Sequence, residues 1–171
     1  MSKLEVLRLN HNNISGLIPP KLLQMDNLFS LYLSSNQLHG SIPLETMKCP
    51  YATIIDLSHN LFNGSIPSQI ACVNDLNLSH NFLFREISFL SRRSFVLSRL
   101  DLSYNNPSGK VNMELASLPY INLSYNSFDF SQDLDSKSEV PDYYFFFSGS
   151  FSLPGSFDPS IDELRHMSSF I

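Results

Sequence analysis

Cysteine is scarce in this chain, with Cys49 and Cys72 the only two. One pair is too sparse for a disulfide-built scaffold and too small for a zinc site. Stacking of the chain on itself would bring the two near one another, but each is expected as a small buried hydrophobe. Positive charge is also short. Eleven Lys and Arg stand against sixteen Asp and Glu, a net charge of −5. That balance speaks against nucleic acid as a partner, since its binders carry a basic patch or stripe. No apolar run approaches the roughly 20 residues of a membrane-spanning helix. The longest aromatic run, "YYFFF" at 143–147, is far too short. Behind Met1, "SKLEVLRL" has neither the charged start nor the apolar stretch of a secretory leader. As written, the chain reads as soluble and not secreted.

What is present is repetition. Asn12, Asn36, Asn60, Asn81, Asn105 and Asn126 follow one another at steps of 24, 24, 21, 24 and 21 residues. Before each stands an apolar-x-apolar pair: Leu7/Leu9, Leu31/Leu33, Ile55/Leu57, Leu76/Leu78, Leu100/Leu102 and Ile121/Leu123. After it come an apolar residue, Gly, Ile and Pro at fixed offsets, complete in Ile14-Gly16-Ile18-Pro19, Leu38-Gly40-Ile42-Pro43 and Phe62-Gly64-Ile66-Pro67. Alternate side chains of a strand share a face, so each apolar pair points inward together. One copy buries too little to offset the entropy of ordering its backbone, so the copies must stack and share a core. The amide of each Asn offers both donor and acceptor and is expected to satisfy buried backbone groups where the strand ends. Gly and Pro then turn the chain into its return segment. The strands are expected in one parallel sheet on a concave side, about 4.8 Å apart.

A 20–29-residue period with L-x-L-x-x-N is the leucine-rich-repeat signature. "LYLSSNQLHGSIP" (31–43) and "IDLSHNLFNGSIP" (55–67) resemble the plant extracellular type of that repeat, with "LDLSYNNPSGKV" (100–111) a weaker match. This type is found in receptor-like kinases, receptor-like proteins and polygalacturonase-inhibitor-like proteins. The resemblance covers residues 4–126. It implies an α/β, β-rich leucine-rich-repeat solenoid, a right-handed curved array with its parallel sheet on the concave face. It also implies recognition of a peptide or protein ligand on that face and pairing with a receptor or co-receptor through a flank. Placement at the plasma membrane or outside the cell is implied for the parent protein. The departures are specific. Arg85 and Ser88 replace Gly and Pro in the fourth copy, Asn112 replaces Pro in the fifth, and Phe130 replaces Gly in the sixth. Paired-cysteine caps, a leader, a membrane span and the kinase motifs are missing from the sequence. The chain therefore reads as a truncated ectodomain. A soluble inhibitor-like repeat protein and a non-functional remnant are the alternatives.

Two columns of side chains form the candidate binding face. Arg8, Tyr32, Asp56, Asn77, Asp101 and Asn122 lie mid-strand, facing away from the apolar pairs. His11, Ser35, His59, His80, Tyr104 and Tyr125 precede the ladder asparagines. Aromatic and charged groups on a rigid sheet suit recognition, because little has to be ordered on contact. His59 and His80 fall on adjacent strands, but two imidazoles without a third ligand make no metal site, and no cofactor is expected. No Ser or Cys is distinctively placed with them as a nucleophile, so no catalytic residue is assigned. Glycan acceptor triplets occur at Asn13, Asn63, Asn77 and Asn122. They are used only on the secretory route, and glycans at Asn77 and Asn122 would narrow the concave surface.

Residues 1–126 thus form the array. Residues 127–171 form a tail with eight acidic and two basic side chains and ten of the 21 aromatics. The tail has no helical period and several Gly, Ser and Pro breaks. It is expected to be disordered, or else an improvised cap over the last repeat. An exposed "YYFFF" is an aggregation liability.

Overall fold

A computed structural model of the chain describes residues 3–44, 53–67, 72–87, 96–111, 115, 118–129 and 145–146. The apolar pairs lie in or directly after short strands: β1 (Val6–Arg8), β3 (Ser30–Tyr32), β5 (Ile54–Asp56), β7 (Asp75–Asn77), β9 (Arg99–Asp101) and β11 (Tyr120–Asn122). These pair in that order, all parallel, and β13 (Phe145–Phe146) adds a seventh strand beside β11. Leu7, Leu31, Ile55, Leu76, Leu100 and Ile121 stand opposite one another in register. The architecture is a parallel-sheet solenoid.

A second sheet runs down the other side of the turn, which the sequence reading treated only as a bend. Its strands are β2 (Ser15–Gly16), β4 (Gln37–Gly40), β6 (Leu61–Gly64), β8 (Phe82–Glu86), β10 (Asn106–Lys110) and β12 (Ser127–Asp129), again all parallel. Its register advances two residues less per coil than the first sheet, as in His39↔Leu61 beside Leu31↔Ile55. A two-residue stagger keeps strand parity, so the inward side chains stay inward. A short helix, α1 (Pro20–Leu23), lies in the first return segment.

The core is a stack of inward layers. Leu31, Ile55, Leu57, Leu76, Leu78, Leu100 and Leu102 are each at most 1% exposed, and Phe62 and Leu83 fill the second-sheet side. Each such side chain contributes about 1.5–3 kcal/mol on burial. The first pair departs from expectation. Leu9 is 37% exposed and Leu7 only partly buried, because a coil at one end of the described stack is covered by one neighbour instead of two.

Cys72 departs as well. It is half-buried and disulfide-bonded, not a free apolar filler. Cys49 lies outside the described residues. The strand at Phe145–Phe146 falls within the tail that the sequence reading expected to be disordered or else an improvised cap over the last repeat.

Candidate binding surface

The ladder asparagines set the geometry of both candidate columns. From Asn36 onward, each donates through Nδ2 to the carbonyl of the second apolar residue in its own coil and in the coil before. Asn60, for example, reaches Leu33 at 2.9 Å and Leu57 at 3.2 Å. Asn81 reaches Leu57 and Leu78, both at 3.1 Å. The Oδ1 atoms of Asn36, Asn60, Asn81 and Asn105 accept from the backbone N–H of Ile14, Leu38, Phe62 and Leu83 of the preceding coil, all at 3.0 Å. The Asn12 side chain bonds only within its own coil, donating to the carbonyls of Leu9 and Asn10. Asn60 and Asn81 are buried, so their four-way bonding removes the cost of unpaired polar groups.

The residue before each ladder asparagine is forced into the left-handed region. His11, Ser35, His59, His80, Tyr104 and Tyr125 all have φ between 52° and 57°. This repeated turn aims four rings the same way. His59 stacks on His80 at 4.0 Å between centroids, His80 on Tyr104 at 4.1 Å, and Tyr104 on Tyr125 at 4.0 Å, all within 15° of parallel. Burial, then the neighbouring His59, lowers the pKa of His80 below its usual value, while Asp101 opposes them. A side-chain hydrogen bond with Tyr125 is the main cause raising the pKa of Tyr104. The sequence placed these residues in one column but gave no sign that their rings touch.

Beside the rings the second sheet exposes Leu61 and Phe82, at 45% and 62%. Together with His59, His80, Tyr104 and the neighbouring asparagines they line an open hollow of about 400 Å³. Sequence reasoning missed these two. The signal was available, since both sit directly after a ladder asparagine, where the first two coils carry Asn13 and Gln37.

The mid-strand column is less free than its sequence suggested. Oδ1 of Asp56 accepts from the Ser58 N–H at 3.1 Å and the Ser58 hydroxyl at 2.7 Å. Asp101 repeats this with Ser103 at 2.9 and 2.7 Å, and Asn122 with Ser124 at 3.2 and 2.8 Å. Asn77 accepts from the Ser79 N–H at 3.0 Å. Each residue therefore closes its own strand end and offers one remaining polar atom outward. Asn122 uses that atom too, donating through Nδ2 to Asp101 Oδ2 at 3.1 Å. At the other end the Arg8 guanidinium lies 5.1 Å from the Tyr32 ring centre.

A parallel column two residues earlier belongs to the same face and was also missed. Asp75, Arg99 and Tyr120 are register partners on β7, β9 and β11. The Arg99 guanidinium lies 4.2 Å from the Tyr120 ring centre and 3.9 Å from Asp75. Burial raises the pKa of Asp75; Arg99 pulls it back and Asp56 adds to the rise. The alternation that picked out Asp101 points equally to Arg99, so the pattern was there to be read.

Of the acceptor asparagines, Asn13 and Asn63 are exposed, whereas Asn77 and Asn122 are half-buried with their amides engaged as above. Asn13 also accepts from Gln37. Among the described residues no group of three or more His, Cys, Asp and Glu is placed to hold a metal ion, and no described helix is long and apolar enough to cross a membrane.

Two coupled parallel sheets and an internal asparagine ladder, with outward columns of mixed polar and aromatic side chains, define a repeat-built parallel-sheet solenoid. The family model for the Leucine Rich Repeat matches residues 3–25, 27–49 and 52–73. A chain of the Arabidopsis thaliana BIR3–SERK2 complex is 37% identical, with 72% of this chain and 68% of that one covered and a TM-score of 0.59. This chain belongs to the leucine-rich-repeat family, in its plant receptor-ectodomain type.

The Arabidopsis receptor kinase HAESA, solved with the peptide hormone IDA and the co-receptor SERK1, gives a match at 30% identity and a TM-score of 0.60. That match covers 71% of this chain but 21% of the other. A plant ice-binding protein shares the fold at 30% identity and a TM-score of 0.53, over 74% of this chain and 50% of that one. Curated protein sequences give no significant match.

Proposed function

We propose that this chain is the recognition part of a plant receptor ectodomain, acting outside the cell, with any kinase carried elsewhere in a parent protein. Its concave face holds a peptide or protein ligand. The mid-strand column Arg8, Tyr32, Asp56, Asn77, Asp101 and Asn122 and the neighbouring Asp75, Arg99 and Tyr120 supply the contacts. The flank formed by His59, His80, Tyr104 and Tyr125 with Leu61 and Phe82 takes a second protein, in the role of a co-receptor.

One observation carries this reading: the outward side chains are already held. Asp101 is fixed by Ser103 and Asn122, and Arg99 lies against Tyr120 beside Asp75. A surface ordered before contact gives up little side-chain entropy on binding. The solved complexes of HAESA with the peptide hormone IDA and SERK1 and of the plant peptide hormone receptor RGFR1 with RGF2 support a peptide ligand. The disulfide at Cys72 suits an oxidising compartment.

The test is selection of binders from a displayed library of random peptides against the full chain, produced by secretion. Arg99→Ala and Asp101→Ala are expected to weaken the selected peptides about tenfold each, about 1.4 kcal/mol. Leu61→Ser on the flank is expected to leave them unchanged. Peptides indifferent to both concave substitutions would refute the assignment of the concave face.

A further inference from the structure

We propose that an N-linked glycan at Asn63 covers the exposed apolar patch of the second sheet, with its first sugar seated on the Phe82 ring. This rests on the extracellular placement proposed above, because the sugar is added only on the secretory route.

The first ground is the patch. Leu61, Phe82 and Phe84 are all exposed, on the neighbouring strands β6 and β8. The same face carries the exposed polar side chains of Gln37 and His39 on β4 and Asn106 on β10. Single apolar residues on a surface are ordinary, whereas a contiguous group marks a contact.

The second ground is where the acceptor stands. Asn63-Gly64-Ser65 is an acceptor triplet, and both Asn63 and Ser65 are exposed. Asn63 follows Leu61 by two residues on β6 and so shares its outward face. Across the ladder its register partner is Phe82, one strand spacing of about 4.8 Å away. The acceptor is bordered by Leu61 on its own strand and by Phe82 on the next.

The third ground separates Asn63 from Asn13, Asn77 and Asn122. Nδ2 of Asn122, the atom that would carry the sugar, donates to Asp101. Asn77 is half-buried on the concave side. Asn13 is exposed, but its partner is the polar side chain of Gln37. Asn63 combines exposure with an apolar ring alongside.

Attachment joins Nδ2 of Asn63 to the anomeric carbon of an N-acetylglucosamine. The bond from that carbon to the lipid diphosphate donor breaks, and the amide gives up one proton. Transfer precedes folding, so the folded sheet decides where the sugar lies. One face of the pyranose presents C–H groups, which match the flat apolar ring of a phenylalanine. Arg85 lies 5.8 Å from the centre of the Phe84 ring, so Phe82, the more exposed of the two, is the platform. A second protein on this flank meets the ring row directly and Phe82 through the sugar.

The test uses the full chain produced by secretion, its glycans trimmed to the first sugar by an endoglycosidase. Glycopeptide mass spectrometry is expected to find Asn63 occupied. Phe82→Ser is expected to lower the melting temperature of this chain by about 3 °C and to leave that of an Asn63→Gln chain unchanged. Proton NMR gives a second readout, an upfield shift of the sugar's ring protons that Phe82→Ser removes. Equal melting losses with and without the Asn63 sugar, or sugar protons indifferent to Phe82, would overturn the proposal. A bare Asn63 beside an occupied Asn13 would overturn it alone, whereas a secreted chain bare at every acceptor would count against the extracellular placement as well. No readout involves a peptide, so the outcome is separate from that of the peptide selection.

Discussion

Asn126 Oδ1 accepts a hydrogen bond from the backbone N–H of Asn105 at 3.1 Å. The four preceding ladder asparagines accept instead from a residue two places further along, and in this coil that residue is Pro107. Proline has no N–H to give, so the acceptor turns to the nearest backbone donor it can reach. The ladder tolerates a missing donor by moving one bond, while the two carbonyls of Leu102 and Leu123 stay satisfied at 2.9 and 3.0 Å.

That division of labour ranks the asparagines. Asn81→Ala leaves the Phe62 N–H unpaired in the buried turn and removes one of the two asparagine donors from each of the Leu57 and Leu78 carbonyls, which keep Asn60 and Asn105. It is expected to cost about 1–3 kcal/mol, the range for one buried group left unpaired. Asn12→Ala touches only exposed bonds within its own coil and is expected to cost less than about 1 kcal/mol. Urea unfolding of the two variants measures the difference.

The strand phase makes a second contrast. Leu57→Asp puts an unpaired charge into the shared core and is expected to unfold the stack cooperatively. Outward location alone would make Asp56→Ala nearly neutral, but its bonds to Ser58 raise the expected cost to about 1 kcal/mol. Asp56→Asn is expected to be close to neutral, because Asn77 and Asn122 do the same work in the same column. Thermal melts of the three variants give the order.

Arg85 stands where other coils place Gly16, Gly40, Gly64 and Gly109, and its φ is 78°. A side chain held there is strained. Arg85→Gly is expected to stabilise the protein by about 1 kcal/mol, read as a rise in the urea midpoint.

The stacked imidazoles give a pH dependence. Folding lowers the pKa of His80, through burial first and His59 next, so the unfolded chain takes up this proton before the folded one does. The contribution is complete above the ordinary value of 6.5 and is lost as pH falls through the folded value. Asp75 works the other way in a lower window. Its raised pKa gives stability that is full below 3.8 and lost as pH rises through the folded value. Between about pH 7 and pH 5, melting temperature is expected to fall for the native chain and to fall less for His80→Tyr. That substitution keeps an aromatic ring in the column, as at Tyr104.

The solenoid itself was legible because its determinants are local and repeated. Leu31 and Leu33, or Leu76 and Leu78, mark the inward strand face without knowledge of any distant residue, and Asn60 marks the turn. The candidate surface was half legible. Mid-strand alternation located Asp101, yet only the structure shows its carboxylate shared between Ser103 and Asn122, because those contacts depend on side-chain torsions and on the adjacent coil. The second sheet was missed because Gly40 and Gly64 were read as turn formers, whereas both end short strands. The strand at Phe145–Phe146 was missed because the sequence after Asn126 has no asparagine to count from.

The row from His59 to Tyr125 has a chemical consequence for whatever meets that flank. With neighbouring ring planes about 4 Å apart, each inner ring is shielded above and below by its fellows. Flat partners such as sugars or nucleobases find no π surface to lie upon at the inner rings, His80 and Tyr104. What faces outward is a rim of imidazole nitrogens and phenolic oxygens, so selectivity on that side rests on complementary acceptors and donors approaching edge-on.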